Sequence, residues 1–281
     1  MSETSFQMTR NAVEKRTALV TGGARRVGAV LCRGLAKDGW HVAVHFNDSG
    51  MDAETLVGEI STAGGSAAAL KCDLSDPGAV IRLIDRAGDG APPLGLLVNN
   101  AALFEDDRLG SLTAELIDRH HAVNVRAPAL LSQAFAEIVG KQAGEGGSPR
   151  TDCCIVNLLD NKVFGPNPDY LSYSLTKFAL HGMTQMLAME LAPDIRVAGI
   201  APGVTLPSGS QTQEEFERSG DSLMLGRGST PEQILAALRF ILAAPAFTGQ
   251  CITIDGGQVL QAMPRDVAFM GNTDTPDGGG R

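Results

Sequence analysis

Short apolar runs alternate with longer stretches in which apolar residues return every three or four positions. The first kind reads as buried strand and the second as amphipathic helix. Strands are expected at 17–21, 40–47, 67–72, 94–98, 153–159, 195–200 and from 251. Helices are expected from the glycine-rich turn at 22–28 through Ala36, and over 52–63, 79–87, 113–139, 172–191 and 231–243. The 113–139 helix should break near Pro128, because proline removes a helical hydrogen bond. Thr230 and Pro231 mark the last helix start as N-cap and first-turn proline. Seven strand–helix units joined by right-handed crossovers give an α/β fold, a doubly wound parallel sheet in one domain over 17–262. Residues 1–16 read as a flexible arm. Residues 140–152 form a Gly/Ser/Pro-rich loop, 205–228 a short helix and a substrate-covering loop, and 263–281 a polar tail with a disordered end.

Composition narrows the function. A net charge of -9 argues against nucleic acid and against an anionic membrane surface. The five cysteines form no CxxC pair and several sit in apolar runs, which fits free thiols in a reducing, cytoplasmic setting. No stretch has the apolar core of a signal peptide or a membrane span, and no metal-binding set is apparent.

Chemistry concentrates in two places. The first is the turn Gly22-Gly23-Ala24-Arg25-Arg26-Val27-Gly28 between a strand and a helix. Small residues let the backbone approach a pyrophosphate, and the helix N-terminus offers N–H donors. Arg26 occupies a place where such turns usually carry glycine, and is either solvated or a cation beside phosphate or substrate. The second strand ends His45-Phe46-Asn47-Asp48-Ser49, with Phe46 where a ribose-binding acid would stand. Arg25, His45, Asn47 and Ser49 are therefore candidates for a 2′-phosphate, and NADPH is favoured over NADH. Asp73 ends the third strand; it bonds the adenine amine or caps the helix after Pro77. Asn99 and Asn100 close the fourth strand and are placed to hold the cofactor ribose to the sheet edge.

The second place is the stretch from Asp160 to Lys177. Tyr173 and Lys177 lie one helical turn apart and share a face. A lysine ammonium beside a phenol should lower the phenol's pKa, making Tyr173 a proton donor and acceptor. Asp160 ends an apolar strand, where open α/β sheets place their ligands. Asn124 lies inside a helix, where asparagine is mildly unfavourable without a task. His120 and His121 read as solvated or at an interface, and His181 as packing or a subunit contact.

The segments TGGARRVG, CDL, NNAA, Asn124, YSLTK, APGV and TGQCITIDGG occur in the order found in short-chain dehydrogenases/reductases, which the chain resembles over roughly 17–260. That resemblance implies a Rossmann-type fold. It adds Ala101, Pro202, Gly203 and Val204 to the cofactor contacts, and it has Tyr173 and Lys177 reaching the nicotinamide ribose. Two departures, Asp160 for serine and Arg26 for glycine, resemble pteridine and dihydromonapterin reductases, as does Phe104 after NNAAL. The resemblance then implies Asp160, Tyr173 and Lys177 as catalytic residues with Asn124 as a fourth, and Arg26, Phe104, Asp160 and Tyr173 as contacts to a pterin-like substrate. It also implies a homotetramer built on the 113–139 and 172–191 helices. A carbonyl reductase acting on a sugar or acyl substrate is the competing enzyme reading, and a non-catalytic NADP(H)-binding sensor the competing reading of another class.

Overall fold

The structure, a computed structural model, describes residues 16–143, 153–207 and 211–270. The expected arm at 1–15, most of the 140–152 loop, 208–210 and the tail from 271 lie outside the described residues.

Seven strands, β1 (Thr17–Val20), β2 (His41–Phe46), β3 (Ser66–Lys71), β4 (Leu94–Asn99), β5 (Cys153–Leu158), β6 (Ile195–Pro202) and β7 (Cys251–Ile254), form one sheet in the order β3-β2-β1-β4-β5-β6-β7. Every pairing is parallel. The chain winds one way from β1 to β3 and the other way from β4 to β7, so a crevice opens at the carboxyl ends of β1 and β4. Both faces are covered, which is why β1, β4 and β5 are buried along their whole length.

Strand residues alternate between two cores. Ala18, Val20, Val42 and Val44 pack against α1 (Arg26–Lys37), α2 (Gly50–Thr62) and α8 (Pro231–Ala243). Leu19, Ala43, Leu97 and Ile155 face α3 (Pro77–Gly88) and α5 (Ala127–Ala143) on the other side. Fully burying each such aliphatic side chain contributes roughly 1.5–3 kcal/mol, and these two layers fix where the strand ends stand.

Local signals set the helix starts. Asp76 caps α3 by accepting from Gly78 and Ala79 N–H, with Pro77 at the first position. Thr230 and Gln233 form a reciprocal capping box on α8. The expected 113–139 helix is divided: α4 (Ala114–His121), a π-helical turn (Ala122–Arg126), then α5. The irregularity sits upstream of Pro128. Proline has no N–H for the Asn124 carbonyl and its ring crowds that group, and the widened turn relieves both. It also turns Asn124 fully inward.

Residues 263–270 were assigned to the tail, yet they pack on the domain. Val267 is buried. Asp169, itself inaccessible, holds Arg265 at 2.9 Å and also pairs with Arg108. Burial pushes the Asp169 carboxyl up, but its hydrogen bonds with Arg265 and Asp266 and the two guanidinium charges hold it below the usual range. Among the described residues, no helix is long and apolar enough to cross a membrane.

Candidate active site

Asp160 lies two residues beyond the end of β5, in a cavity of about 520 Å³ at the carboxyl ends of the strands. Its Oδ1 accepts from the Lys162 N–H at 2.9 Å, and its Oδ2 accepts the Tyr173 hydroxyl at 2.8 Å. Burial raises the Asp160 pKa against the opposing pull of those hydrogen bonds and of the Lys162 and Lys177 charges. Tyr173 and Lys177 project from α6 (Leu171–Glu190), both buried.

The expected effect of Lys177 on the phenol is corrected. The Lys177 Nζ donates to the Leu158 carbonyl at 2.6 Å rather than to the phenol oxygen. Burial, the Asp160 charge and the hydrogen bond to it push the Tyr173 pKa well above its ordinary value. The phenol is therefore protonated near neutral pH. Lys177 is instead the group brought toward neutrality, pushed down by burial to about 8.

Asn124 does not reach the cavity. Its amide brackets the backbone of Leu103, accepting from N–H at 2.8 Å and donating to C=O at 2.9 Å, and it also donates to Thr176 Oγ1. It thus holds the segment that carries Phe104. His120, expected in solvent or at an interface, is fully buried within the chain: it bonds Ser172 Oγ at 2.6 Å and accepts from the Glu105 N–H. His181 packs edge-on against Phe164.

The glycine-rich turn enters the same cavity through Gly22, Arg25, Arg26, Val27 and Gly28, joined by Asn100, Ala101, Lys177, Pro202, Gly203 and Val204. Gly28 is obligatory, since a Cβ there would lie 2.1 Å from the Gly22 carbonyl oxygen. Asn100 fastens the turn by donating to the Thr21 and Gly22 carbonyls. The start of α1 carries no side-chain cap and no acid in its first turn, so its N–H groups remain available to an anion. This cradle fits a dinucleotide pyrophosphate.

Among the phosphate and adenine candidates His45 is overturned, and Arg25, Asn47 and Asp73 hold neighbouring groups. His45 is 2 % exposed and is a strut: its Nδ1 accepts from Gly22 N–H at 2.9 Å and its Nε2 donates to the Cys72 carbonyl at 3.0 Å. Burial lowers its pKa to about 4, so it is neutral and cannot clamp a phosphate. Arg25 already pairs with Asp52, its Nε 2.6 Å from Oδ2. Asn47 donates to Asp48, whereas Ser49 precedes α2 with no capping bond. Asp73 does not cap α3, a task that Asp76 performs; it bonds the Ser75 N–H and remains exposed.

Arg26 has φ 51, which explains why glycine would be ordinary there, and its Nη2 donates to the Pro207 carbonyl at 2.8 Å. Phe104 lies edge-on to Tyr173 with ring centres 4.6 Å apart, and stacks at 4.2 Å on Tyr170. Tyr170 in turn stacks on Phe269. The sequence reading missed Tyr170, Lys162, Asp266 and Gln258, all of which line the cavity. Lys162, a lone cation between Asp160 and Lys177, was the one readable signal.

The arrangement combines a dinucleotide cradle, a proton-bearing Asp–Tyr pair and a flat aromatic wall. The sequence profile described as short chain dehydrogenase matches residues 16–218. An uncharacterized oxidoreductase YjdA of Bacillus subtilis is 33% identical, over 87% of this chain and 97% of its own. Pteridine reductase 1 of Leishmania tarentolae is 31% identical, over 86% and 96%. A crystal structure of FolM alternative dihydrofolate reductase 1 from Brucella canis, complexed with NADP, is 40% identical with a TM-score of 0.81, covering 89% of this chain and 96% of that one.

Proposed function

The chain belongs to the short-chain dehydrogenase family, and from that membership we propose that it is an NADPH-dependent reductase of a pterin-type ring. The observation that carries the reading is the hydrogen bond between Tyr173 and a partly buried Asp160 with a raised pKa, beside the ring of Phe104. A ketone needs only a neutral hydroxyl to polarise its oxygen. Reducing a C=N bond needs a proton placed on nitrogen, and a carboxyl made more basic by burial is suited to hold one.

In this reading Gly22, Arg26, Val27, Gly28 and the start of α1 hold the cofactor's phosphates, with Arg25 and Ser49 at the 2′-phosphate and Asp73 at the adenine. Asn100, Ala101 and Pro202–Val204 line the ribose and nicotinamide end. The bound cofactor supplies the hydride. Lys177 bonds the nicotinamide ribose and places a positive charge behind Tyr173. Tyr173 and Asp160 keep one proton shared at the reacting end of the cavity. Phe104 stacks on the substrate ring, a geometry worth about 0.5–1.5 kcal/mol beyond its buried area. Asn124 acts as a positioning residue through Leu103. Support comes from the pteridine reductase and NADP-bound relatives above.

The exposed stripe Leu175, Phe178, Met186 and Met189 on α6 supports a homo-oligomer, checked by sedimentation. The activity is tested by NADPH oxidation with a 7,8-dihydropterin against a panel of ketones. Turnover of the dihydropterin alone is expected; turnover of ketones alone favours the carbonyl reductase.

A further inference from the structure

Several polar side chains at the Asp160 end of the cavity are paired. Asp160 takes the Tyr173 hydroxyl, Lys162 takes Asn167 and Asp266, and Ser219 takes the Glu215 carbonyl. Among the described residues that line the cavity, Gln258 alone carries a fully buried polar atom without a partner. It is 8% exposed and lines the cavity, and its Oε1 is buried without a hydrogen-bond partner among the described residues. A folded chain seldom leaves such an acceptor unpaired, because its lost hydration is not replaced.

The backbone holds Gln258 in place firmly. It opens a short 3-10 turn (Gln258–Leu260) just after β7, entered through Gly256 and Gly257 with φ 64 and 85. The Asp255 carboxylate accepts from the Gly257 and Val259 N–H groups and so fixes that turn. The carboxamide lies against Gly203, where an added Cβ would stand 2.8 Å from its Oε1. The same turn packs on Asn161–Val163, the residues that follow Asp160. The glycine-rich turn leaves β1, at the far end of the run β1-β4-β5-β6-β7. Gln258 therefore lies at the Asp160 end of the cavity, away from the glycine-rich turn.

We propose that Gln258 is a specificity-determining residue, whose carboxamide pairs with an adjacent N–H and C=O on the edge of a flat heterocyclic substrate. A primary carboxamide carries an acceptor beside two donors and so matches a cyclic amide edge at two points, whereas an isolated ketone offers a single acceptor. Pterins carry such an edge, and the inference rests on the pterin reading above. A site built to hydrogen-bond a substrate discriminates strongly against one that leaves its polar groups unpaired.

The test compares the wild type with Gln258→Met, which keeps length and removes both hydrogen-bonding atoms, and with Gln258→Leu as a second shape. Steady-state kinetics with a 7,8-dihydropterin are measured together with the NADPH dissociation constant and the melting temperature. Loss of two neutral hydrogen bonds should lower kcat/KM for the dihydropterin by about 10- to 30-fold, mostly through KM. NADPH affinity should stay within about twofold, and neither variant should melt below the wild type, since each removes an unpaired buried group. An unchanged dihydropterin KM in both variants would overturn the assignment while leaving the pterin reading intact. A parallel loss of NADPH affinity would also overturn it, making Gln258 a support for the Gly203 backbone. Absence of wild-type turnover with the dihydropterin would sink the pterin reading itself, and this inference with it.

Discussion

Tyr173 donates its phenolic hydrogen to Asp160 across 2.8 Å; the phenol is buried and the carboxylate partly so. The carboxylate, rather than the Lys177 ammonium, is the phenol's direct partner. If this pair holds the proton for the reaction, each member should be needed for turnover and neither for cofactor binding. Tyr173→Phe is expected to lower kcat by about 10²–10⁴-fold with little change in NADPH affinity. Asp160→Ser should impair dihydropterin reduction while preserving the same affinity. Higher dihydropterin turnover in Asp160→Ser would remove Asp160 from the proton step.

Lys177 is expected to set an upper pH limit on activity. Burial brings its pKa to about 8, so its positive charge is present below that pH and is lost above it. The kcat/KM profile should fall as pH rises through about 8. Lys177→Arg keeps a permanent charge. Whatever its absolute rate, its ratio of activity at pH 9 to pH 7 should exceed that of the wild type. Identical profiles would assign the alkaline limb to another group.

His45 governs stability at low pH. The folded protein keeps its imidazole neutral down to about pH 4, whereas the unfolded chain takes up the proton near 6.5. Between those values the unfolded state binds more protons, so stability is fully present above pH 6.5 and declines as pH falls toward 4. The separation corresponds to roughly 3 kcal/mol. Urea denaturation between pH 7 and 4.5 should show this decline, and His45→Gln should flatten it. An equal slope in the variant would place the acid sensitivity elsewhere.

These groups differ in how readable they are from sequence. Asp160, Tyr173 and Lys177 were legible because their geometry is local: one strand end and one helical turn fix it. Strands β1, β2, β4, β5 and β6 were legible because burial on both faces leaves nearly continuous apolar runs. His45, Asn124 and His120 were misjudged because their partners are remote in sequence. His45 bonds Gly22 and the Cys72 carbonyl, and Asn124 brackets Leu103 and reaches Thr176. Polarity alone does not distinguish a buried strut from a solvated side chain. Residues 263–270 looked like tail for the same reason, since the partner that buries them, Asp169, lies about a hundred positions earlier.

Arg26 adopts a left-handed backbone that costs a non-glycine residue about 1–2 kcal/mol. Its exposed bond to the Pro207 carbonyl returns roughly 0.5–1.5 kcal/mol, so strain and bond nearly cancel. Arg26→Ala keeps the strain and loses the bond, whereas Arg26→Gly loses both. The glycine variant should therefore be about 1 kcal/mol more stable than the alanine variant by chemical denaturation. Both should bind NADPH more weakly than the wild type. A glycine variant no more stable than the alanine one would mean that φ at this position relaxes freely.

Lys162 and Asp266 form an ion pair at 2.7 Å, with side chains only 5% and 14% exposed. The pair ties the 263–270 segment to the turn behind Asp160. Removing one partner of a buried pair leaves the other charge without compensation, and this outweighs the attraction the pair gains. Asp266→Ala should cost about 3–5 kcal/mol, because the Lys162 ammonium loses its ion-pair partner and keeps the neutral Asn167 amide and Tyr170 ring beside it. Replacing both, as Lys162→Met with Asp266→Ala, removes the stranded charge along with the pair. The double variant should therefore be more stable than Asp266→Ala alone, a non-additivity that a double-mutant cycle in urea measures directly. Additive losses would show that the two side chains stabilise the segment independently, with Asp266 acting mainly through its bonds to the Ala268 N–H and, by its own backbone N–H, to Asp169.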